Sequence, residues 1–113
     1  MGYMPPQGSP KAEAAGAEWH TIPRVDKTPS VTGSWVDVDV SDVVPEGAKA
    51  VAVLFTKYSD YCGVRKNGAT DEGTRGTESP YSQSRLDIVE LDENRIFEAY
   101  CAYSKMYIVG YLK

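Results

Sequence analysis

Trp35-Val36-Asp37-Val38-Asp39-Val40 alternates apolar and acidic side chains behind a leading tryptophan. The pattern predicts a strand with Val36, Val38 and Val40 turned inward and Asp37 and Asp39 turned to solvent. Downstream, Val44-Pro45-Glu46-Gly47 reads as a turn. Residues 48–57 are apolar on both faces, with Val51, Val53 and Phe55 set against Ala50, Ala52 and Leu54, as in a strand covered on both sides. Residues 61–66 predict a shorter strand closed by Asn67-Gly68, a dipeptide suited to positive φ. Residues 83–91 alternate less cleanly, with Leu86 and Ile88 on one face and Val89 and Leu91 on the other. Asp92-Glu93-Asn94 turns the chain, and 96–102 and 106–112 predict two further strands around Tyr103-Ser104-Lys105. No amphipathic helical stripe competes. Strands at this spacing predict an all-β fold, a small antiparallel β-sandwich or jelly roll.

Working outward, two stretches depart from this rhythm. Residues 1–33 hold five of the seven prolines (Pro5, Pro6, Pro10, Pro23 and Pro29) and few large aliphatic side chains. Such a segment cannot offset its own ordering entropy, and it predicts an extended N-terminal arm ahead of a β-sandwich domain at 34–113. A short helical turn from Ser9 to Gly16 is its one local signal. Trp19, Ile22 and Val25 carry enough apolar surface to anchor the arm on another chain. Residues 67–82 contain no Val, Ile, Leu or Phe and predict an exposed loop whose large side chains are Arg75 and Tyr81.

The composition narrows the functional classes. At 113 residues the chain suits one domain. A net charge of -4 speaks against a nucleic-acid partner, since nothing neutralises a row of phosphates. The longest clearly apolar run, 50–55, is far short of a membrane span, and the N-terminus lacks the basic and apolar regions of a secretory signal.

Candidate chemistry is sparse. Cys62, Cys101 and His20 are too few and too scattered for zinc. The two cysteines read either as one disulfide or as two buried thiols. Asp37, Asp39 and Asp42 suggest a calcium loop, but Asp42 and Ala48 stand where such a loop needs Gly and Glu, so a solvated strand face is the better account. His20 has no evident nucleophile or orienting partner. Asp87, Glu90, Asp92, Glu93 and Glu98 supply carboxylates, yet a domain this small rarely encloses the cleft a glycosidase needs. The expectation is a protein that is not an enzyme and uses no cofactor or metal. Tyr107 and Tyr111, with Val109 between them, are expected on one face of the last strand, for core packing, a protein contact or sugar stacking.

Three stretches carry a resemblance: Val44-Pro45-Glu46-Gly47-Ala48-Lys49-Ala50-Val51; Gly63-Val64-Arg65-Lys66-Asn67-Gly68-Ala69-Thr70-Asp71; and Val89-Glu90-Leu91-Asp92-Glu93-Asn94-Arg95-Ile96-Phe97-Glu98 with Tyr107-Ile108-Val109-Gly110-Tyr111. Together they resemble a small β-sandwich module of virion and tail-associated proteins of tailed bacteriophages, over about residues 35–113. The resemblance implies a structural virion role without catalytic residues. It also suggests an ion-pair cluster of Arg65, Lys66 and Asp71, with Asn94 and Arg95 contributing. Combined with the arm, it leads to the expectation of a capsid decoration (cement) protein. Such a protein would be a homo-oligomer, with a trimer as the expected form, bound to the major capsid protein or other virion subunits after assembly in the host cytoplasm. A compact body with an extended strand that adds to a neighbour's sheet edge suits that task. The alternative is a receptor- or carbohydrate-binding module of a phage tail fibre or a secreted protein, using loop 67–82 and the tyrosines.

Overall fold

The computed structural model describes residues 16–31, 33–56, 62–70, 74–76, 84–101 and 104–113, with 74–76 described through the backbone. All regular structure among these residues is strand: β1 (Trp19–Asp26), β2 (Trp35–Asp39), β3 (Ala50–Thr56), β4 (Cys62–Lys66), β5 (Thr74–Gly76), β6 (Ser84–Glu90), β7 (Ile96–Cys101) and β8 (Lys105–Leu112). They form two four-stranded antiparallel sheets, sheet 1 in the order β1-β8-β3-β6 and sheet 2 in the order β2-β7-β4-β5. The pairing is nested. The first strand pairs the last, β2 pairs β7, β3 pairs β6 and β4 pairs β5, while β8 and β7 also close onto β3 and β4. A long antiparallel ribbon folded over itself in this way is a jelly roll.

Six of the eight strands fall where alternation predicts them. The other two lie in the stretches that break the rhythm. β1 sits within residues 1–33, expected as an arm; it is extended, but it forms the edge of sheet 1, paired with β8. Its proline-bearing sequence hides a strand because Pro23 falls at a register shift between Thr21 and Val25, where an edge strand tolerates a missing N–H. β5 lies within loop 67–82 and pairs with β4 through Cys62↔Gly76, Gly63↔Arg75 and Val64↔Thr74. The helical turn expected before Gly16 and the side chains of Arg75 and Tyr81 lie outside the described residues.

The core lies between the sheets. Val51, Val53 and Phe55 from β3 meet Phe97 and Ala99 from β7, Met106 and Ile108 from β8, and Val38 and Val40 from the β2 end, all essentially inaccessible to solvent. Asp37 and Asp39 are exposed, as the alternation predicts. Burying one such large aliphatic or aromatic side chain stabilises by roughly 1.5–3 kcal/mol. Arg95, with φ at +63°, turns the chain into β7 and donates from Nη1 to the carbonyls of Ser41 and Val44, clamping the corner after β2.

Candidate functional site

Sheet 1 turns its polar and apolar positions the unusual way round at its β6 edge. The inward positions of β6 include Arg85 and Asp87, while Leu86 and Ile88 point outward and are 59% and 53% exposed. The inward charges are satisfied locally. The Arg85 guanidinium lies 2.7 Å from the Asp87 carboxylate, donates to the Cys62 carbonyl at 2.6 Å and faces the Phe55 ring. That bond ties β6 in sheet 1 to β4 in sheet 2.

The register extends the outward apolar positions across the sheet. Tyr107, Leu54 and Leu86 lie side by side on β8, β3 and β6; Gly110, Ala52 and Ile88 form the next row; Trp19, Leu112 and Ala50 form a third on β1, β8 and β3. Cross-strand neighbours on one face touch, so these residues form an apolar patch, which Asp26 and Thr21 on β1 and Glu90 on β6 border in the same rows. Ala50, Ala52 and Gly110 form its low floor, and Trp19, 48% exposed, stands at one corner. Arg24 stacks over the Tyr107 ring at 4.3 Å, and the Lys105 ammonium lies 3.9 Å from Asp26 at the rim. Monomeric soluble proteins rarely leave such a surface uncovered unless it meets a partner.

The tyrosine expectation needs correction. Between Ala52↔Gly110 and Val53↔Ile108, β8 advances two residues for one on β3, so Val109 is the extra residue of a bulge. The face therefore flips. Tyr107 points outward opposite Leu54, whereas Tyr111 lies opposite Val51, packs on the core and stacks on His20 with centroids 4.9 Å apart. Ile22 also packs on this chain's own core, and half-buried Val25 lies opposite Ile108. Of the five residues expected to bind a partner, Trp19 and Tyr107 lie on the apolar face. Leu86, Ile88 and Leu54 complete it. Alternation groups Leu86 with Ile88 on one face, but by itself would turn Arg85 and Asp87 to solvent; the outward placement of the apolar pair follows from Arg85 reaching the Cys62 carbonyl.

The opposite outer face, that of sheet 2, is a polar network. Trp35, Tyr100 and Gly63 share one row, and Asp37, Glu98 and Arg65 the next. The Arg65 guanidinium stacks over the Trp35 ring at 4.2 Å and meets the Glu98 carboxylate at 2.6 Å. Of the expected ion-pair cluster, Arg65 pairs with Glu98 and Lys66 with Glu90, while Asn94 and Arg95 serve the turn before β7. Asp71 lies outside the described residues. Asp92 accepts hydrogen bonds from the Asn67 side chain and from the amides of Asn94 and Ile96, which hold its carboxyl below the usual range. Asp87, Glu90, Asp92 and Glu98 are thus each engaged by a cation or an amide. Asp39 caps Ser41, and Asp42 pairs with Lys27 at 3.0 Å. Cys62 and Cys101 are buried free thiols on facing positions of β4 and β7, and burial pushes the Cys62 thiol up to about 12.

No family model, curated protein or solved structure matches this chain.

Proposed function

We propose that the chain is a structural subunit of a phage virion, a capsid decoration protein rather than an enzyme, which docks as a trimer on the major capsid protein through the outer face of sheet 1. The observation that carries this reading is the apolar patch on the outer face of sheet 1, with Leu86, Ile88 and Trp19 exposed and Leu54 and Tyr107 beside them. Aromatic and aliphatic anchors of this kind dominate the energy of protein interfaces. The acidic net charge opposes uncontrolled association of the free subunit before assembly.

The test is occupancy on undecorated capsids. Wild-type chain should saturate the particles, and the double variant Leu86→Glu/Ile88→Glu should lose at least tenfold in affinity while melting like the wild type. Trp19→Ala should weaken binding by about 2 kcal/mol, the usual hot-spot scale. Equal occupancy by the double variant would remove this face from the interface, and failure of the wild type to bind would sink the decoration reading.

A second reading, a carbohydrate-binding module, is favoured by Trp35 and Tyr100 side by side in one row of sheet 2, with Gly63 as the next residue of that row. Glycan-array binding that is lost in Tyr100→Ala would support it. Arg65 already occupies one face of the Trp35 ring, which favours the docking reading.

A further inference from the structure

We propose that the groove beside strand β2 is a strand-addition site for an extended peptide segment that alternates apolar and basic side chains. A hollow of about 460 Å³ opens between residues 26–31 and β2; Pro29, Val31, Val36 and Val38 supply its apolar lining and Asp37 and Asp39 its charge. Val31 is 52% exposed there.

Among the described residues β2 is an edge strand, hydrogen-bonded to β7 on one side. The Val40 amide donates to the Arg95 carbonyl, which sets the phase of the ladder. Val36 and Val38 therefore direct their backbone groups to β7, and Asp37 directs its N–H and C=O outward into the free edge. An incoming strand can pair there, its alternate side chains meeting the groove and the acidic face in turn.

Both edges of sheet 1 are guarded, and the far edge of sheet 2 is β5, three residues described through the backbone. β1 has Pro23 and a register shift, and β6 turns the charges of Arg85 and Asp87 inward, both devices that prevent edge pairing. β2 has neither. Its exposed Asp37 and Asp39 instead decide the partner. Two β2 edges brought together would set these carboxylates against their own copies, and like charges directly opposite repel. Lys27 is already paired with Asp42, so the charge offered to an occupant is acidic and the complementary strand is basic.

Binding of fluorescent ten-residue peptides to the full chain tests the proposal. A peptide alternating Lys and Val should bind at least tenfold tighter than one alternating Glu and Val. It should also slow hydrogen exchange of the Asp37 amide. The Asp37→Asn/Asp39→Asn variant should lose at least threefold in affinity, together with most of the salt dependence. Asp37→Pro removes an N–H that β7 does not use and should abolish binding; an N-methylated Lys-Val peptide gives the same test on unaltered protein. Equal binding by the N-methylated peptide would show attraction by charge alone and overturn the proposal. So would an unchanged Asp37 amide, or self-association of the chain through β2. None of these outcomes depends on whether the chain decorates capsids.

Discussion

At the residue scale, Gly110 shows how closely β1 approaches β8. A Cβ built there would stand 2.9 Å from the His20 carbonyl oxygen and near the Ala52 methyl. The obstacle is backbone, so Gly110→Ala must displace β1, and the cost should be about 1–3 kcal/mol, read as a lower urea midpoint. Cys62 makes the opposite point, that a reactive group can be silenced by place. With its thiol held to about 12 by burial, native Cys62 should label orders of magnitude more slowly with a thiol reagent at pH 8 than in denaturant. Fast native labelling would mean that the β4 end opens readily. Glu98 links the sheet 2 network to pH. Burial pushes its carboxyl up from 4.5, but the Arg65 hydrogen bond, the Gly68 amide and the Arg65 charge outweigh this and hold it lower. A carboxyl depressed in the folded state stabilises above its unfolded value and loses that contribution as pH falls through the folded one. Stability should therefore decline below pH 4.5, and Glu98→Gln should make that decline shallower in denaturation midpoints taken on the acid side. Asp26, Asp39, Asp42 and Asp92 are lowered as well, so some decline remains.

At the element scale, the informative strand is β1. It covers the edge of β8 and adds Ile22 to the core. A chain beginning at residue 31 lacks it. Each lost ladder hydrogen bond costs about 1 kcal/mol, and the exposed β8 edge invites pairing between copies. Such a truncation should melt well below the full chain or aggregate; a truncation that melts unchanged would show that β1 is dispensable. The six central strands were legible because period-two alternation and burial on both faces reflect a sheet on one side and a core on the other. β1 was not, because its few apolar residues and Pro23 resemble a linker, and its partner β8 is remote in sequence. The bulge at Val109 was equally hidden. It depends on how β8 meets β3, and it alone decides that Tyr107 faces out while Tyr111 faces in. The apolar docking face was half legible: Leu86 and Ile88 sat together in the alternation, but which side faced solvent depended on Arg85 reaching the Cys62 carbonyl across the sandwich.

At the scale of the whole molecule, the two sheets divide the labour. Sheet 1 presents an apolar outer face, and sheet 2 presents Arg65, Glu98, Asp37 and Asp39. A subunit with one adhesive and one charged face can pair through sheet 1 while its sheet 2 side resists building further layers. The free chain should accordingly show concentration-dependent association through sheet 1, abolished by Leu86→Glu/Ile88→Glu in sedimentation runs. Association that persists in that variant would assign self-contact to another surface.

The amide and carbonyl of Glu18 bond reciprocally with those of Lys113, each at 2.9 Å. In the nested ribbon this is the pair that must close the longest loop, and loop closure grows more costly with length. Folding speed falls as contacts become more remote in sequence. Joining residues 18 and 113 by a short linker and reopening the chain after Gly68, at Ala69-Thr70, which keeps the Asn67 and Gly68 hydrogen bonds to Asp92 and Glu98, converts the most distant strand pair into a hairpin. The rearranged protein should keep its sheets yet refold measurably faster, with β1 and β8 moving from the last contacts made to among the first.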